Sequence, residues 1–154
     1  MAAEGAAGEL LPSKEEGTID GAPPLIPPGE YRLKFETWAT VMMFGRSPKL
    51  VLTFKVIDFG AHFETKLKRW YNVRRLRGKA GKHGQFSAGW SSDVVREYGR
   101  LIGLPQRTDR IAISAYGGRV IVGKVGTVNK DRTQQALPTG LEYSVIQTLL
   151  RTEQ

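Results

Sequence analysis

One stretch near the middle of the chain combines two kinds of side chain that bind unpaired nucleic acid. Residues 66–82 (KLKRWYNVRRLRGKAGK) contain eight Lys or Arg and no Asp or Glu, and they include Trp70 and Tyr71. Positive charges attract phosphates, and aromatic rings stack against exposed bases at about 1–3 kcal/mol per base. Because a duplex hides the faces of its bases, this mixture favours a single strand as the ligand.

The charge of the whole chain is also unevenly distributed. The 154 residues carry a net charge of +8. Residues 1–30 hold one base and six acids, which is −5, whereas the 22 bases and 9 acids of residues 31–154 give +13. Such a basic part attracts polyanions, nucleic acid first and anionic membrane surfaces second. The alternative, a charge that serves only solubility, agrees less well with this clustering.

Several classes of protein are excluded by what the chain lacks. It has no cysteine, which excludes disulfide scaffolds, Fe–S clusters and thiol catalysis. No stretch reaches the ~20 apolar residues of a membrane span, and the first residues do not resemble a signal peptide. The only histidines, His62 and His83, come without cysteines, so a zinc site is not expected. We therefore expect no metal, no cofactor, no membrane partner and a cytoplasmic location.

The pattern of apolar residues predicts a mainly β fold. Alternation at period two, with turn residues between, predicts strands at 30–41, 49–59, 63–73, 111–114, 119–129 and 141–150. Residues 91–103 instead predict a helix, because one face carries Val94, Val95, Tyr98, Leu101 and Ile102. Five main strands with a helix between the third and fourth is the order of the OB-fold, a Greek-key barrel. We therefore expect an OB-fold-like five-stranded barrel over residues 29–154, preceded by a flexible acidic tail at 1–28.

Period two also predicts which strand residues face outward. If Tyr31, Leu33 and Phe35 face the core, their neighbours face solvent, and the same reasoning applies to the next two strands. Arg69 then falls on the inward side, where a bulge or a position at the rim would accommodate it. The outward set interleaves cations with aromatic residues on adjacent strands: Lys34, Trp38, Lys55, Lys66, Lys68, Trp70 and Arg74.

Loops add further cations to this predicted binding surface. In OB-folds the loops joining strands 1–2 and 4–5 flank the ligand cleft, and here these are residues 42–49 and 129–140. A glycine-rich loop at 78–89 would be free to close over a bound strand. The complete set of candidate binding residues is Lys34, Trp38, Arg46, Lys55, Lys66, Lys68, Trp70, Tyr71, Arg74, Arg75, Arg77, Lys79, Lys82, Lys130 and Arg132.

Four short segments resemble the OB-fold single-stranded-DNA-binding proteins of phages and mobile elements. They are residues 28–31 (PGEY), 50–56 (LVLTFKV), 101–105 (LIGLP) and 143–145 (YSV), and the resemblance covers about residues 27–150. It implies a protein without enzymatic activity that coats single-stranded DNA of any sequence during replication or recombination, in a bacterial or phage-infected cell. Many such proteins carry an acidic segment at the C-terminus, whereas the acids here lie near the N-terminus.

Three other functions stay open at this point. One is an RNA-binding barrel, and another is a phage structural module without a nucleic-acid role. The third is a Mg²⁺-dependent nuclease using Asp58, Glu64 and Lys66, although both acids flank a predicted turn, where charged residues are common. The sequence also leaves open a homo-oligomer, replication or recombination proteins as partners, and competition of the acidic tail with nucleic acid for the basic surface.

Overall fold

The chain is mainly β with one α-helix, according to a computed structural model that describes residues 23–131, 133–138 and 140–153. In chain order the elements are β1 (Gly29–Met43), β2 (Ser47–Val56), β3 (Lys66–Asn72), β4 (Arg75–Arg77), β5 (Gly81–Lys82), β6 (Gln85–Ser87), α1 (Asp93–Leu101), a 3₁₀ turn (Ile113–Tyr116), β7 (Val120–Val128) and β8 (Tyr143–Glu153). As predicted, the helix follows the third long strand and precedes the last two. No helix within the described ranges is both long and apolar enough to cross a membrane.

The long strands form one antiparallel sheet that is not closed into a barrel. Their order across the sheet is β3-β2-β1-β7-β8, and the short β5 pairs with β1. β1 joins the two halves, because residues 29–34 pair with β7 and residues 33–43 pair with β2. β3 and β8, at the two ends of this order, lie next to each other without forming a ladder of paired residues. β4 and β6 form a separate two-stranded ribbon.

The core lies on one face of this sheet, because apolar and polar residues alternate along the strands. Each long strand contributes a side chain that is no more than 1% exposed: Leu33, Phe54, Leu67, Ile121 and Leu149. Helix α1 packs against β3 and β8. The predicted apolar stripe of the helix is confirmed by its buried residues, which include Val94, Val95, Tyr98 and Leu101. Each buried side chain of this size contributes about 1.5–3 kcal/mol.

A buried ion pair joins the helix to the sheet. The carboxylate of Glu97 accepts hydrogen bonds from Arg69 Nε (3.1 Å), Tyr71 OH (2.6 Å) and Leu149 N (3.2 Å). Arg69 is 8% exposed and Glu97 4%, so a buried partner, and not a bulge or the rim, accounts for the inward position of Arg69. Burial raises the pKa of Tyr71 well above its usual value, and the charge of Glu97 adds to this. Burial lowers the pKa of Arg69, but the hydrogen bond to Glu97 and the neighbouring charges outweigh this and raise the pKa overall.

Local structure differs from the sequence prediction in three places. The strand predicted at 111–114 is wrong, because this run enters the 3₁₀ turn; Ile113 and Tyr116, three residues apart, share one buried side of it. The second strand, predicted to reach residue 59, ends at Val56, and a turn over residues 57–65 follows it before β3 begins at Lys66. The predicted loop at 78–89 contains β5 and β6.

The folded part of the chain begins before the expected boundary at residue 29. Ile26 is 6% exposed and belongs to the core cluster. Its amide donates to Ser144 Oγ (2.9 Å), and the amide of Ser144 donates to the carbonyl oxygen of Pro24 (2.9 Å). These bonds attach residues 24–26 to β8. Residues 1–22, the larger part of the predicted flexible tail, lie outside the described residues.

Candidate nucleic-acid interface

A β-bulge in β1 decides which of the predicted residues share a surface. The pairing of β1 with β2 skips Glu36, because Phe35 is followed in register by Thr37. One extra residue reverses the alternation of side chains between the two faces. The prediction that Trp38 faces outward is therefore wrong: Trp38 pairs with Leu52 and packs against the core.

Trp38 attaches a neighbouring segment to the sheet and is not available to stack on a base. Its indole Nε1 donates to the carbonyl oxygen of Gly84 (3.1 Å). Its ring lies 4.5 Å from the His83 ring and 6.4 Å from the Phe35 ring, measured between centroids. Protein rings thus lie next to the partly buried indole, which indicates a structural role for Trp38.

The opposite face of the sheet carries a row of side chains that crosses four strands. In register, Lys82 pairs with Ala39, Ala39 with Val51, and Val51 with Trp70. The two adjacent rows are Thr37–Thr53–Lys68 and Val41–Lys49–Asn72. We call the surface formed by these three rows the outer face. The sequence prediction that Lys68 and Trp70 share a surface agrees with this register.

Small side chains occupy the centre of the outer face, and larger or charged ones surround them. Trp70 is half-buried and stands outside the core cluster. Lys68 Nζ donates to Thr53 Oγ1 (3.3 Å), and Lys49 Nζ donates to Asn72 Oδ1. None of the three rows contains an acid. The half-buried indole ring of Trp70 can stack on a planar base, while the surrounding ammonium groups can contact phosphates.

Three other predicted lysines form a separate row whose charge is partly neutralised. Lys34, Lys55 and Lys66 are paired in register across β1, β2 and β3. The carboxylate of the bulged Glu36 lies 3.2 Å from Lys66 Nζ and 3.9 Å from Lys55 Nζ, and Glu64 lies 3.9 Å from Lys55 Nζ. Glu36 thus adds an acid to these lysines, so this row attracts phosphate less strongly than its three cations alone would.

The glycine-rich segment forms an open basic cleft next to the outer face. Residues 77–79 and 82–85 line a shallow, open depression of about 470 Å³, which we call the 77–85 cleft. Its basic side chains are Arg77, Lys79, Lys82 and His83. The segment pairs with β1 through β5 and is held there, which differs from the expected loop that closes over a strand.

The other predicted residues divide between the core and the surface. Tyr71 is 2% exposed and donates to Glu97, so the prediction that it stacks on bases is wrong. Arg74 and Arg75 are exposed at the start of the β4–β6 ribbon. β4 lies against β2, so these two guanidinium groups extend the basic surface beyond the end of β3.

The two loops expected to flank a cleft lie near opposite ends of β1. Arg46 is exposed in the turn that follows β1. Lys130 is exposed just after β7. β7 is antiparallel to β1 and continues beyond its pairing with Gly29, so Lys130 lies near the start of β1. Arg132 lies outside the described residues. The register therefore brings Arg46, but not Lys130, to the end of β1 that bears the outer face.

Trp90 is an exposed aromatic residue that the sequence argument missed. It lies between β6 and α1 and is 55% exposed. A Cβ atom on the preceding residue, Gly89, would lie 3.2 Å from Arg74 Nη2, so the chain passes next to a surface cation just before Trp90. The alternation of inward and outward residues along strands cannot identify Trp90 as exposed, because Trp90 belongs to no strand. The available signal was a tryptophan within a run of small residues (AGWSS).

Of the three residues of the nuclease alternative, Asp58 takes part in contacts separate from those of Glu64 and Lys66. Asp58 accepts a hydrogen bond from the amide of Arg32 (2.8 Å). Glu64 lies near Lys55, and Lys66 pairs with Glu36. Within the described ranges there is no group of three or more His, Asp or Glu side chains that could hold a metal ion. The arrangement offers no support for two-metal or one-metal phosphate chemistry at this turn.

Comparison of the chain with protein-family models, with curated proteins and with solved structures finds no match.

Proposed function

We propose that this chain is a single-stranded-DNA-binding protein that does not select for sequence and has no enzymatic activity, and that the outer face is its binding surface. The observation that carries the proposal is the row Lys82–Ala39–Val51–Trp70, in which an indole and an ammonium group flank small side chains. Bases stack on Trp70, and the lysines of the outer face neutralise phosphates. The setting, replication or recombination in a phage or mobile element, rests on the sequence resemblance.

We further propose that this open sheet has the strand arrangement of an OB-fold, which is a partly open Greek-key barrel. Three features support this: β1 pairs with both β2 and β7, β3 and β8 lie side by side, and α1 packs against both of these last two strands. OB-folds bind oligonucleotides on the face of their second and third strands. The strands in those positions here are β2 and β3, which carry Val51 and Trp70.

Substitution of Trp70 tests the binding surface directly. Loss of one stacking platform is worth about 1–3 kcal/mol, so Trp70→Ala should weaken oligo-dT binding by about 5- to 150-fold. Trp70→Phe should retain part of the affinity, since a smaller ring still stacks. Most of the tryptophan fluorescence quenching on binding should also disappear in Trp70→Ala.

Trp90→Ala is the comparison variant, because Trp90 is exposed but lies outside the outer face. It should change the affinity less than Trp70→Ala does. Wild-type affinity in Trp70→Ala would overturn the proposed surface, and a loss confined to Trp90→Ala would move the site to the segment before α1.

The choice of nucleic acid is tested with matched ligands. Single-stranded DNA, duplex DNA and single-stranded RNA of equal length are titrated at two salt concentrations. We expect single-stranded DNA to bind most tightly and its affinity to fall with salt, because bound phosphates release counterions. Tighter binding of RNA would favour the RNA-binding alternative, and cleavage of labelled DNA in Mg²⁺ that is lost in Glu64→Ala would favour the nuclease.

A further inference from the structure

The 77–85 cleft lies at one end of the row that leads to Trp70. Its lining residues are Arg77, Gly78, Lys79, Lys82, His83, Gly84 and Gln85, a set without an acid. We propose that this cleft binds a phosphate group, and that in the DNA complex the group is a backbone phosphate of the strand whose base stacks on Trp70. The second half of this proposal rests on the proposed function, whereas phosphate binding itself does not.

Hydrogen bonds to β1 hold the lining of the cleft in place. The amide of Gly81 donates to Thr40 Oγ1 (3.2 Å), and the amide of His83 donates to the carbonyl oxygen of Trp38 (3.0 Å). The indole of Trp38 donates in turn to the carbonyl oxygen of Gly84 (3.1 Å). A cleft held in this way is formed before the ligand arrives, so little conformational freedom is lost on binding.

Gly84 is required for this close attachment. A Cβ atom at this position would lie 2.0 Å from Thr40 Oγ1 and 3.1 Å from the carbonyl oxygen of Gly81, so any larger residue must displace the segment or the Thr40 side chain that holds it. His83 next to it adopts φ 57°, a left-handed conformation that strains a residue with a side chain. This conformation accompanies the contact of its Nε2 with Thr37 Oγ1 (3.1 Å). The backbone here is thus shaped at some cost to hold His83 and its neighbours beside β1.

The cation at the inner end of the cleft keeps its charge available to a ligand. Arg77 is anchored through Nη1 to the carbonyl oxygen of Asp109 (3.0 Å), which is a neutral acceptor. The carboxylate of Asp109 is bound at both oxygens by Arg107, at 2.9 and 2.8 Å. Because Asp109 is already neutralised by Arg107, its charge does little to cancel that of Arg77.

The distance from the cleft to Trp70 sets the path of the strand. Lys82 and Trp70 are separated by three strand-to-strand steps of about 4.8 Å each, or about 14 Å. A chain of several nucleotides spans this distance, and a mononucleotide does not. A strand that uses both positions therefore runs across β5, β1, β2 and β3.

Phosphate binding is tested without nucleic acid. Inorganic phosphate is titrated into the ¹⁵N-labelled full-length protein at constant ionic strength, and the amide signals of His83 and Gly84 are followed by NMR. We expect saturable shifts in the wild type and their loss in the Lys79→Ala/Lys82→Ala double variant. Lys124→Ala, which removes a positive charge from β7, should keep the shifts. A response that does not saturate, or that chloride reproduces, would overturn the proposal.

A second variant keeps every charge but disturbs the position of the segment. Gly84→Ala should abolish the saturable phosphate response, because its methyl group forces the segment away from Thr40. Wild-type phosphate binding in Gly84→Ala would contradict the idea of a cleft shaped by this attachment.

The contribution of the cleft to DNA binding is measured separately. The slope of log affinity for oligo-dT against log salt should become shallower by about 0.7 for each phosphate contact that the double variant loses. An unchanged slope, with DNA binding still dependent on Trp70, would refute the role of the cleft in the complex and leave the proposed function intact. Saturable phosphate binding together with a DNA affinity that does not change in Trp70→Ala would keep the phosphate site and refute the proposed DNA-binding surface.

Discussion

Glu97 provides the sharpest test of how this fold is held together. Its carboxylate is the shared acceptor for Arg69, Tyr71 and Leu149, which come from β3 and β8. Glu97→Ala would leave the guanidinium of Arg69, which is 8% exposed, without its partner. Removing one member of a buried ion pair typically costs about 3–5 kcal/mol, and the tyrosine hydroxyl and the amide of Leu149 would each lose a bond as well.

That cost is large beside the whole stability of a domain, which is typically about 5–15 kcal/mol. Glu97→Gln should cost less than Glu97→Ala, because its amide oxygen can still accept from Tyr71 and Leu149. The double variant Arg69→Met/Glu97→Gln should recover part of the loss seen in Glu97→Ala, since no unpaired charge then stays buried.

Urea denaturation at pH 7 measures these free energies of unfolding. A cost below about 1 kcal/mol for Glu97→Ala, or a double variant less stable than Glu97→Ala, would refute the argument that the pair is buried and coupled. The DNA affinity of folded Glu97→Gln serves as the functional control. It should match the wild type, because Arg69 faces the core and not the outer face.

Four further predictions each concern a single feature of the chain. The hydroxyl of Tyr116 is buried without a hydrogen-bond partner in the described part of the chain, so Tyr116→Phe should raise the free energy of unfolding by about 1 kcal/mol in urea denaturation. Burial also raises the pKa of Tyr116, so above about pH 10 the folded protein keeps a proton that the unfolded chain loses. The free energy of unfolding should therefore fall above about pH 10, by up to about 1.4 kcal/mol per pH unit for such a tyrosine. The fall should be less steep in Tyr116→Phe, which lacks this hydroxyl. Lys82→Ala should make the slope of log affinity for oligo-dT against log salt shallower by about 0.7. Lys66→Ala should change this slope less, because Glu36 lies 3.2 Å from Lys66 Nζ. Equal effects of the two variants would contradict the neutralising role of Glu36. Deletion of residues 1–22 leaves the attached residues 24–26 in place. If the acidic tail competes for the outer face, this deletion should tighten DNA binding. An unchanged affinity in a salt titration would exclude that competition.

The helix and the long strands were predictable because their signals are local. The apolar stripe of α1 and the alternation in β2 and β3 each lie within about ten residues, so a short window of sequence contains the whole pattern. The inward side of Leu67 and the outward side of Lys68 and Trp70 followed from the same alternation. The prediction of a strand at 111–114 failed because a few apolar residues fit a strand and a 3₁₀ turn equally well.

Amino-acid order alone thus determined the mainly β class, the position of the helix, the concentration of positive charge after residue 30 and the shared surface of Lys68 and Trp70. Tertiary structure decided the rest. The bulge at Glu36 turned Trp38 to the core side of the sheet, because one unpaired residue reverses the alternation and only the pairing with β2 reveals it. Arg69 and Tyr71, which belong to the basic stretch, are buried against Glu97 and do not join the binding surface. Glu97 lies 28 residues from Arg69 in the chain and becomes its neighbour only when the helix packs on the sheet. Periodicity is a property of a short segment, whereas burial and charge pairing depend on which distant segments meet.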